Sequence, residues 1–301
     1  MSIAPQDKTV LVTGATGFTG RHMIVALKSR GYRVVGLGHS TSQADVIIPC
    51  DLRNHADVRA VVLRAKPDYV VHLAGLSFVG HGDAEGFYRV NLFGSLNLLE
   101  ALASLPSPPS KVLIASSANV YGMPGVEIID ESVCPAPVNH YACSKLAMEH
   151  MVRTWFDRLP IIITRPFNYT GPGQDERFLI PKIVGHFKRG MSKIELGNLD
   201  VSRDFSDVAD VVAAYIALLE SDARSTTVNV CSGRDTSLRE VISMMSTIAG
   251  YDIDVSVNPA FVRGNEITRL LGDNARLQGL IHMVPKTDLQ ATLQRMYEHR
   301  G

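Results

Sequence analysis

The chain has no excess of charge: 30 Lys and Arg balance 30 Asp and Glu across 301 residues. A neutral protein exerts no general pull on nucleic acid or on an anionic membrane, so any phosphate it binds must be held by a local site. Cysteine is scarce. Cys50, Cys134, Cys143 and Cys231 are scattered, none forms a Cys-x-x-Cys pair, and buried free thiols in a cytosolic protein are expected. The ten histidines show no ligand spacing of the His-x-x-x-His kind, and no catalytic metal is expected. No apolar stretch approaches the roughly 20 residues of a membrane span. Met1 leads to the strand-like Thr9–Val12 with no basic region or cleavage site, so a cytoplasmic protein without a membrane partner is expected.

Hydrophobic residues, at 46% of the chain, are enough for a substantial core in one large domain or two closely packed ones. Short β-branched runs at Thr9–Val12, Arg33–Gly36, Tyr69–Leu73, Lys111–Ser116 and Ile161–Arg165 alternate with helical periodicity near 20–30, 54–65, 86–103 and 140–157. This rhythm predicts an α/β fold with a Rossmann-type, doubly wound parallel sheet. Beyond residue 166 the pattern changes to a Gly/Pro/Asn-rich loop, a helix near 178–190 and a short strand at Ile194–Leu196. A helix at Asp207–Glu220 and a strand at Thr227–Val230 are expected to return to the main sheet. Two further helical patterns surround a strand near 253–257. The expected division is a dinucleotide-binding domain over 1–166, rejoined by 205–231, and a smaller α/β substrate lobe from 167–204 and 232–301.

Gly14, Gly17 and Gly20 stand three apart between the first strand and the first helix, with Phe18 and Thr19 among them. Glycine there permits a tight turn and lets a pyrophosphate approach the amides at a helix N-terminus. An acid closing the second strand would take the ribose 2′-hydroxyl of NAD. This strand instead ends Val35-Gly36-Leu37-Gly38-His39-Ser40, and His39, Ser40 and Arg21 could take a 2′-phosphate. NADP(H) is therefore favoured, with NAD(H) left open. Asp51 and Leu52 would flank the adenine, and Leu73, Ala74 and Gly75 would let the cofactor lie close to the next strand end.

Tyr141-Ala142-Cys143-Ser144-Lys145 places a phenol and an ammonium four apart on one helical face. A positive charge so close is expected to pull the phenol below its usual titration range, fitting it for proton transfer. Upstream, the fourth strand ends Ser116-Ser117-Ala118-Asn119-Val120-Tyr121-Gly122, where Ser117 could hydrogen-bond the same reacting oxygen.

Gly-x-x-Gly-x-x-Gly, His72-Leu73-Ala74-Gly75, Ser-Ser-x-x-Val-Tyr-Gly and Tyr-x-x-x-Lys, in that order, resemble the extended short-chain dehydrogenase/reductases, the NAD-dependent epimerase/dehydratase family. The resemblance covers essentially the whole chain. It implies Ser117, Tyr141 and Lys145 as catalytic residues, Pro166 as a further cofactor contact, and a homodimer built on helices 86–103 and 140–157. Arg165-Pro166-Phe167-Asn168 resembles the loop opening the substrate lobe, with Asn168 facing sugar or phosphate. Leu196-Gly197-Asn198 through Arg203-Asp204-Phe205 resembles a segment shared by GDP-mannose 4,6-dehydratases and GDP-4-dehydro-6-deoxy-D-mannose reductases, and implies that Arg203 meets a pyrophosphate. Arg263 and Glu266 resemble their phosphate and ribose contacts. Lys182, Ser77, Phe78 and Asn119 complete the expected nucleotide-sugar site. The family's dehydratases carry acids directly after the catalytic hydroxyl residue. Ala118 and Asn119 stand there instead and cannot take a proton, which disfavours dehydration. The resemblance is greatest to the GDP-4-dehydro-6-deoxy-D-mannose reductase group. It implies reduction of a 4-keto sugar, with a 4-epimerase holding NAD, or an idle dinucleotide-binding module, as the alternatives.

Overall fold

Residues 8–38, 46–77, 83–261, 267–282 and 286–299 are described by the computed structural model. In its first half, β1 (Thr9–Thr13), α1 (Phe18–Ser29), β2 (Arg33–Gly38), β3 (Val46–Pro49), α2 (His55–Ala65), β4 (Tyr69–His72), α3 (Ala84–Phe87), α4 (Gly94–Ala103), β5 (Lys111–Ala115), α5 (His140–Arg153) and β6 (Ile161–Pro166) follow in turn. The second half adds β7 (Asn168–Thr170), α6 (Leu179–Lys188), β8 (Lys193–Leu196), β9 (Ser202–Asp207), α7 (Val208–Glu220) and β10 (Thr226–Val230). It ends with β11 (Asp235–Ser237), α8 (Leu238–Ala249), β12 (Asp254–Val257), β13 (Arg269–Leu270), α9 (Ala275–Ile281) and α10 (Leu289–Glu298).

Seven strands form one parallel sheet in the order β10-β6-β5-β4-β1-β2-β3. Every residue of β1 is buried, as a strand covered on both faces requires. On one face Val10 and Val12 pack with Met23 and Leu27 of α1 and Val211 and Tyr215 of α7. On the other, Leu11 and Val35 meet Val62 of α2, Leu98 of α4 and Met148 of α5. This is the doubly wound α/β fold that the strand rhythm predicted. Strand order runs outward in opposite directions from β1 and β4, so the carboxyl ends of these two strands open a crevice.

Two small sheets lie outside the main one. β9 pairs with β7, β11 and β13, and β8 pairs with β12. A separate core of Ile183, Val241 and Leu293 joins α6, α8 and α10. The helix starts follow local chemistry: Asp207 caps α7 by accepting from the Ala209 amide at 2.7 Å, and Ser237 with Glu240 forms a capping box on α8.

The structure departs from the sequence pattern in several places: β7 lies within the stretch expected as a loop, and β9, β11 and β13 were not expected. The apolar run Val46–Ile48 belongs to an edge strand of the main sheet that the strand rhythm did not include. The periodic stretch 86–103 is not one α-helix, because a π-helical turn at Tyr88–Phe93 separates α3 from α4. No described helix is long and apolar enough to cross a membrane.

Candidate active site

The glycine turn closes the crevice from the β1 side. Gly14 has φ +67, and a Cβ there would lie 2.8 Å from the Ala74 nitrogen, so the turn is pressed against the end of β4. A Cβ on Gly20 would overlap the Gly14 carbonyl oxygen and stand 2.8 Å from Ala15, so only glycine lets α1 begin this close to the turn. Gly17 is the N-cap of α1 and no side chain caps the helix, which leaves its first amides to an anion. Phe18 stacks on Tyr169 at 6.1 Å, and the Thr19 and Tyr169 hydroxyls are 2.8 Å apart. This bare, uncapped cradle fits a dinucleotide pyrophosphate. Arg21, considered above for a 2′-phosphate, donates instead to the carbonyls of Thr16 and Gly173. His39 and Ser40 lie outside the described residues. Asp51 is paired with Arg53 at 2.7 Å, and Leu52 is buried beneath it with its carbonyl accepting from Asn97.

Beneath the crevice runs a buried hydrogen-bond chain whose polarity can be worked out. Ser95 Oγ donates to the Asn91 carbonyl at 2.6 Å, so it accepts from His72 Nε2 at 2.8 Å. His72 Nδ1 must then accept from Thr13 Oγ1 at 2.7 Å, while Thr13 accepts from the Ala74 amide at 3.1 Å. His72 is thus the neutral Nε2–H tautomer, and burial, helped by Lys145, pushes its imidazole down to about 3. Nitrogen-15 NMR is expected to show that tautomer throughout the neutral range. A folded value below the ordinary imidazole value means that stability drains away as pH falls between the two. A His72→Gln protein should therefore lose less melting temperature in acid than the natural one.

The π-helical turn aims Asn91 at the site. Its side-chain amide donates to the Leu76 carbonyl at 3.2 Å and to Ser144 Oγ at 3.0 Å, and its oxygen accepts from the Leu76 amide at 2.9 Å. Ser144 in turn donates to the Tyr141 carbonyl at 2.7 Å. Asn91 therefore braces the end of β4 against the helix bearing Tyr141, a part the sequence did not reveal.

Asn139 caps α5, and the helix presents Tyr141 and Lys145 to the crevice. Tyr141 is 8% exposed and hydrogen-bonds the side chain of Ser117, the residue at the end of β5 that also caps a 3-10 turn at Ala118–Tyr121. Lys145 Nζ donates to the Ala115 carbonyl at 2.8 Å and stands 3.3 Å from where a Gly75 side chain would begin. The structure thus brings Ser117, Tyr141, Lys145 and the Leu73–Gly75 strand end together. The expected electrostatics are corrected: burial outweighs the Ser117 bond and raises the Tyr141 phenol to about 12. Burial also lowers Lys145 itself, to about 8, while its ammonium donates to the Ala115 carbonyl.

The expected substrate residues fare unevenly. Pro166 ends β6 inside the main sheet, while Asn168 is exposed just past it and Asn119 is half-buried on the 3-10 turn. Ser77 is exposed at the last described residue before the gap that contains Phe78. Leu196 is buried in the core shared by α6, α8 and α10, so its side chain faces away from solvent, and Gly197 lies against the Phe261 carbonyl. Asn198 accepts from the Asp200 amide at 2.9 Å. Lys182 donates to the Glu195 carbonyl and sits 4.6 Å over the Phe261 ring. Arg203 binds the carbonyls of Ser202, Ile267 and Thr268. Its neighbour Asp204, fully buried, accepts from the Ser232 amide and hydroxyl and the Gly233 amide at 2.7–2.8 Å, which locks the turn after β10. Arg263 and Glu266 lie outside the described residues. Among the described residues no cluster of His, Cys, Asp and Glu could hold a metal ion.

Residues 10–231 match the model of the NAD dependent epimerase/dehydratase family. The chain belongs to that family. It is an NAD(P)-dependent oxidoreductase of the extended short-chain type. GDP-6-deoxy-D-talose 4-dehydrogenase of Aggregatibacter actinomycetemcomitans is 36% identical over 97% of each chain. GDP-6-deoxy-D-mannose reductase of Pseudomonas aeruginosa is 33% identical over 95% of this chain and 94% of its own. Among solved structures, a candidate epimerase from Burkholderia cenocepacia superposes with a TM-score of 0.92 at 47% identity over 98% of both chains. The Pseudomonas aeruginosa structure called RMD, complexed with NADPH, gives 0.85 at 31% identity, again over 98% of both.

Proposed function

We propose that the protein uses a nicotinamide dinucleotide to reduce the 4-keto group of a nucleotide-diphosphate 6-deoxyhexose, GDP-4-dehydro-6-deoxy-D-mannose, giving GDP-D-rhamnose. The observation that carries this reading is the Ser117–Tyr141–Lys145 cluster at the carboxyl edge of the sheet, facing the glycine turn across the ends of β1 and β4. The bound dinucleotide would supply the hydride. Tyr141 holds its proton at neutral pH and gives it to the oxygen that becomes the C4 hydroxyl, while Ser117 orients that oxygen and Lys145 supplies positive charge beside it. A phenol that keeps its proton at neutral pH can serve as the proton donor that reduction needs. Ala118 and Asn119 offer no carboxyl group for eliminating water.

GDP as the carrier follows from the names of the two relatives, which also suggest both C4 outcomes. The talose product would result from hydride delivery to the opposite face of the same ketone. NADPH is the proposed donor, since the described part of β2 carries no carboxylate and the RMD structure holds NADPH. The test is nicotinamide absorbance with purified enzyme, NADPH or NADH, and GDP-4-dehydro-6-deoxy-D-mannose. Stoichiometric oxidation, with kcat/KM at least tenfold higher for NADPH, is the expected result, and product NMR assigns C4. No oxidation, with NAD carried through purification, would favour a 4-epimerase.

A homodimer through α4 and α5 is part of the proposal. Phe93, beside α4, is 53% exposed and would be covered by it. Light scattering at micromolar concentration should give twice the chain mass, and a monomer alone would refute this.

A further inference from the structure

Glu149 has no exposed surface, yet it lies on α5 four residues beyond Lys145 and eight beyond Tyr141. Its carboxylate accepts from Ser116 Oγ at 2.6 Å and from Arg165 Nε at 2.9 Å and Nη2 at 2.6 Å. Arg153, on the same helix, approaches to 3.7 Å. Arg165 is itself 2% exposed and lies 4.7 Å over the Tyr121 ring, whose hydroxyl donates to Asn229 at 2.7 Å. Burying two ions is costly, and a pair of apolar side chains would serve stability at least as well. The pair therefore calls for a role other than holding the core together. Its placement suggests one: Ser116 adjoins Ser117, and Arg165 immediately precedes the turn from Pro166 to Asn168.

We propose that Glu149 is a positioning residue for the reaction. It ties α5 to the ends of β5 and β6 and sets a negative charge one helical turn beyond Lys145. The inference rests on the assignment of Tyr141 and Lys145 made above. Around Lys145 the Ala115 carbonyl accepts a hydrogen bond from the ammonium, His72 on β4 is neutral, and Tyr141 is neutral. Glu149 supplies the negative charge, offset in part by Arg165 from β6 and by Arg153. Glu131 and Arg276 lie farther off, beyond Tyr121 and Asn229. Burial draws Lys145 down and Glu149 draws it back up. Removing the carboxylate therefore strips the lysine of its proton at a lower pH.

The test compares Glu149→Gln, Ser116→Ala and Tyr141→Phe with the natural enzyme, measuring kcat/KM from neutral to alkaline pH beside melting temperature. Glu149→Gln is expected to move the alkaline limb down by about one pH unit, and Ser116→Ala to lower kcat several-fold without moving it. A double variant, Glu149→Gln with Arg165→Met, leaves no guanidinium buried without its carboxylate and should also show the lowered limb if the single variant does not fold. A folded variant lacking Glu149 whose limb stays in place would reduce the residue to a structural role and overturn the inference. With Tyr141→Phe inactive, that result leaves the site assignment standing; an active Tyr141→Phe would take both down.

Discussion

Replacing Tyr141 by phenylalanine is expected to cut turnover by about two to four orders of magnitude. The substitution keeps the ring, which packs 5.9 Å from Phe87, and removes only the hydroxyl bonded to Ser117. Helix α5 and the cofactor crevice should survive, so affinity for the dinucleotide, followed by fluorescence, is expected to stay within a few-fold. Melting temperature should barely change. The loss belongs in kcat because the proton is transferred only as the C4 oxygen gains charge. The pH profile should show the same division of labour. With the phenol held up near 12, the alkaline limb should reflect Lys145, lowered to about 8, with activity falling as pH rises through that value. Near-normal turnover in the variant would remove Tyr141 from the chemistry.

Gly20→Ala should be nearly as damaging, by a different route. Its Cβ would overlap the Gly14 carbonyl oxygen and lie 2.8 Å from both the Ala15 Cα and carbonyl carbon, all of them backbone atoms. No rotamer relieves such a clash, so α1 must lift away from the turn. Overpacking of this kind costs about 1–3 kcal/mol. The first amides of α1 would move with the helix, and dinucleotide affinity is expected to fall by at least about tenfold, roughly the factor that 1.4 kcal/mol represents. Cofactor titration and thermal melts check both numbers. A variant binding as tightly as the natural protein would mean that α1 can move without opening the cradle, contrary to the packing described.

Features carried by neighbouring residues were legible in the sequence. The glycine turn, the strand-end serines and the Tyr-x-x-x-Lys face each lie within one turn or one strand, so spacing alone reveals them. β3 was less visible because four residues at a sheet edge become a strand only by pairing with β2, and its burial is partial. The π-helical turn was invisible for a related reason. Helical periodicity runs through residues 86–103, and the extra residue is accommodated where Asn91 and Ser95 find partners on β4 and α5, far away in sequence. Arg203 and Asp204 show what a motif leaves unsaid: the carboxylate locks the turn after β10, and the guanidinium binds backbone carbonyls, neither of which spacing reveals. The Tyr141 phenol titrates in the opposite direction to the expectation from helix spacing, because spacing conveys the nearby ammonium but not the depth of burial.

The central claim is that hydride moves once, irreversibly for the cofactor, onto C4 of a keto sugar. Single turnover with NADPH deuterated at the transferred position tests it most directly. One deuterium at C4 of the product for each NADPH oxidised is the result predicted here. NADPH left unoxidised with no product, or a product whose C4 is free of deuterium, would contradict hydride transfer from NADPH to C4.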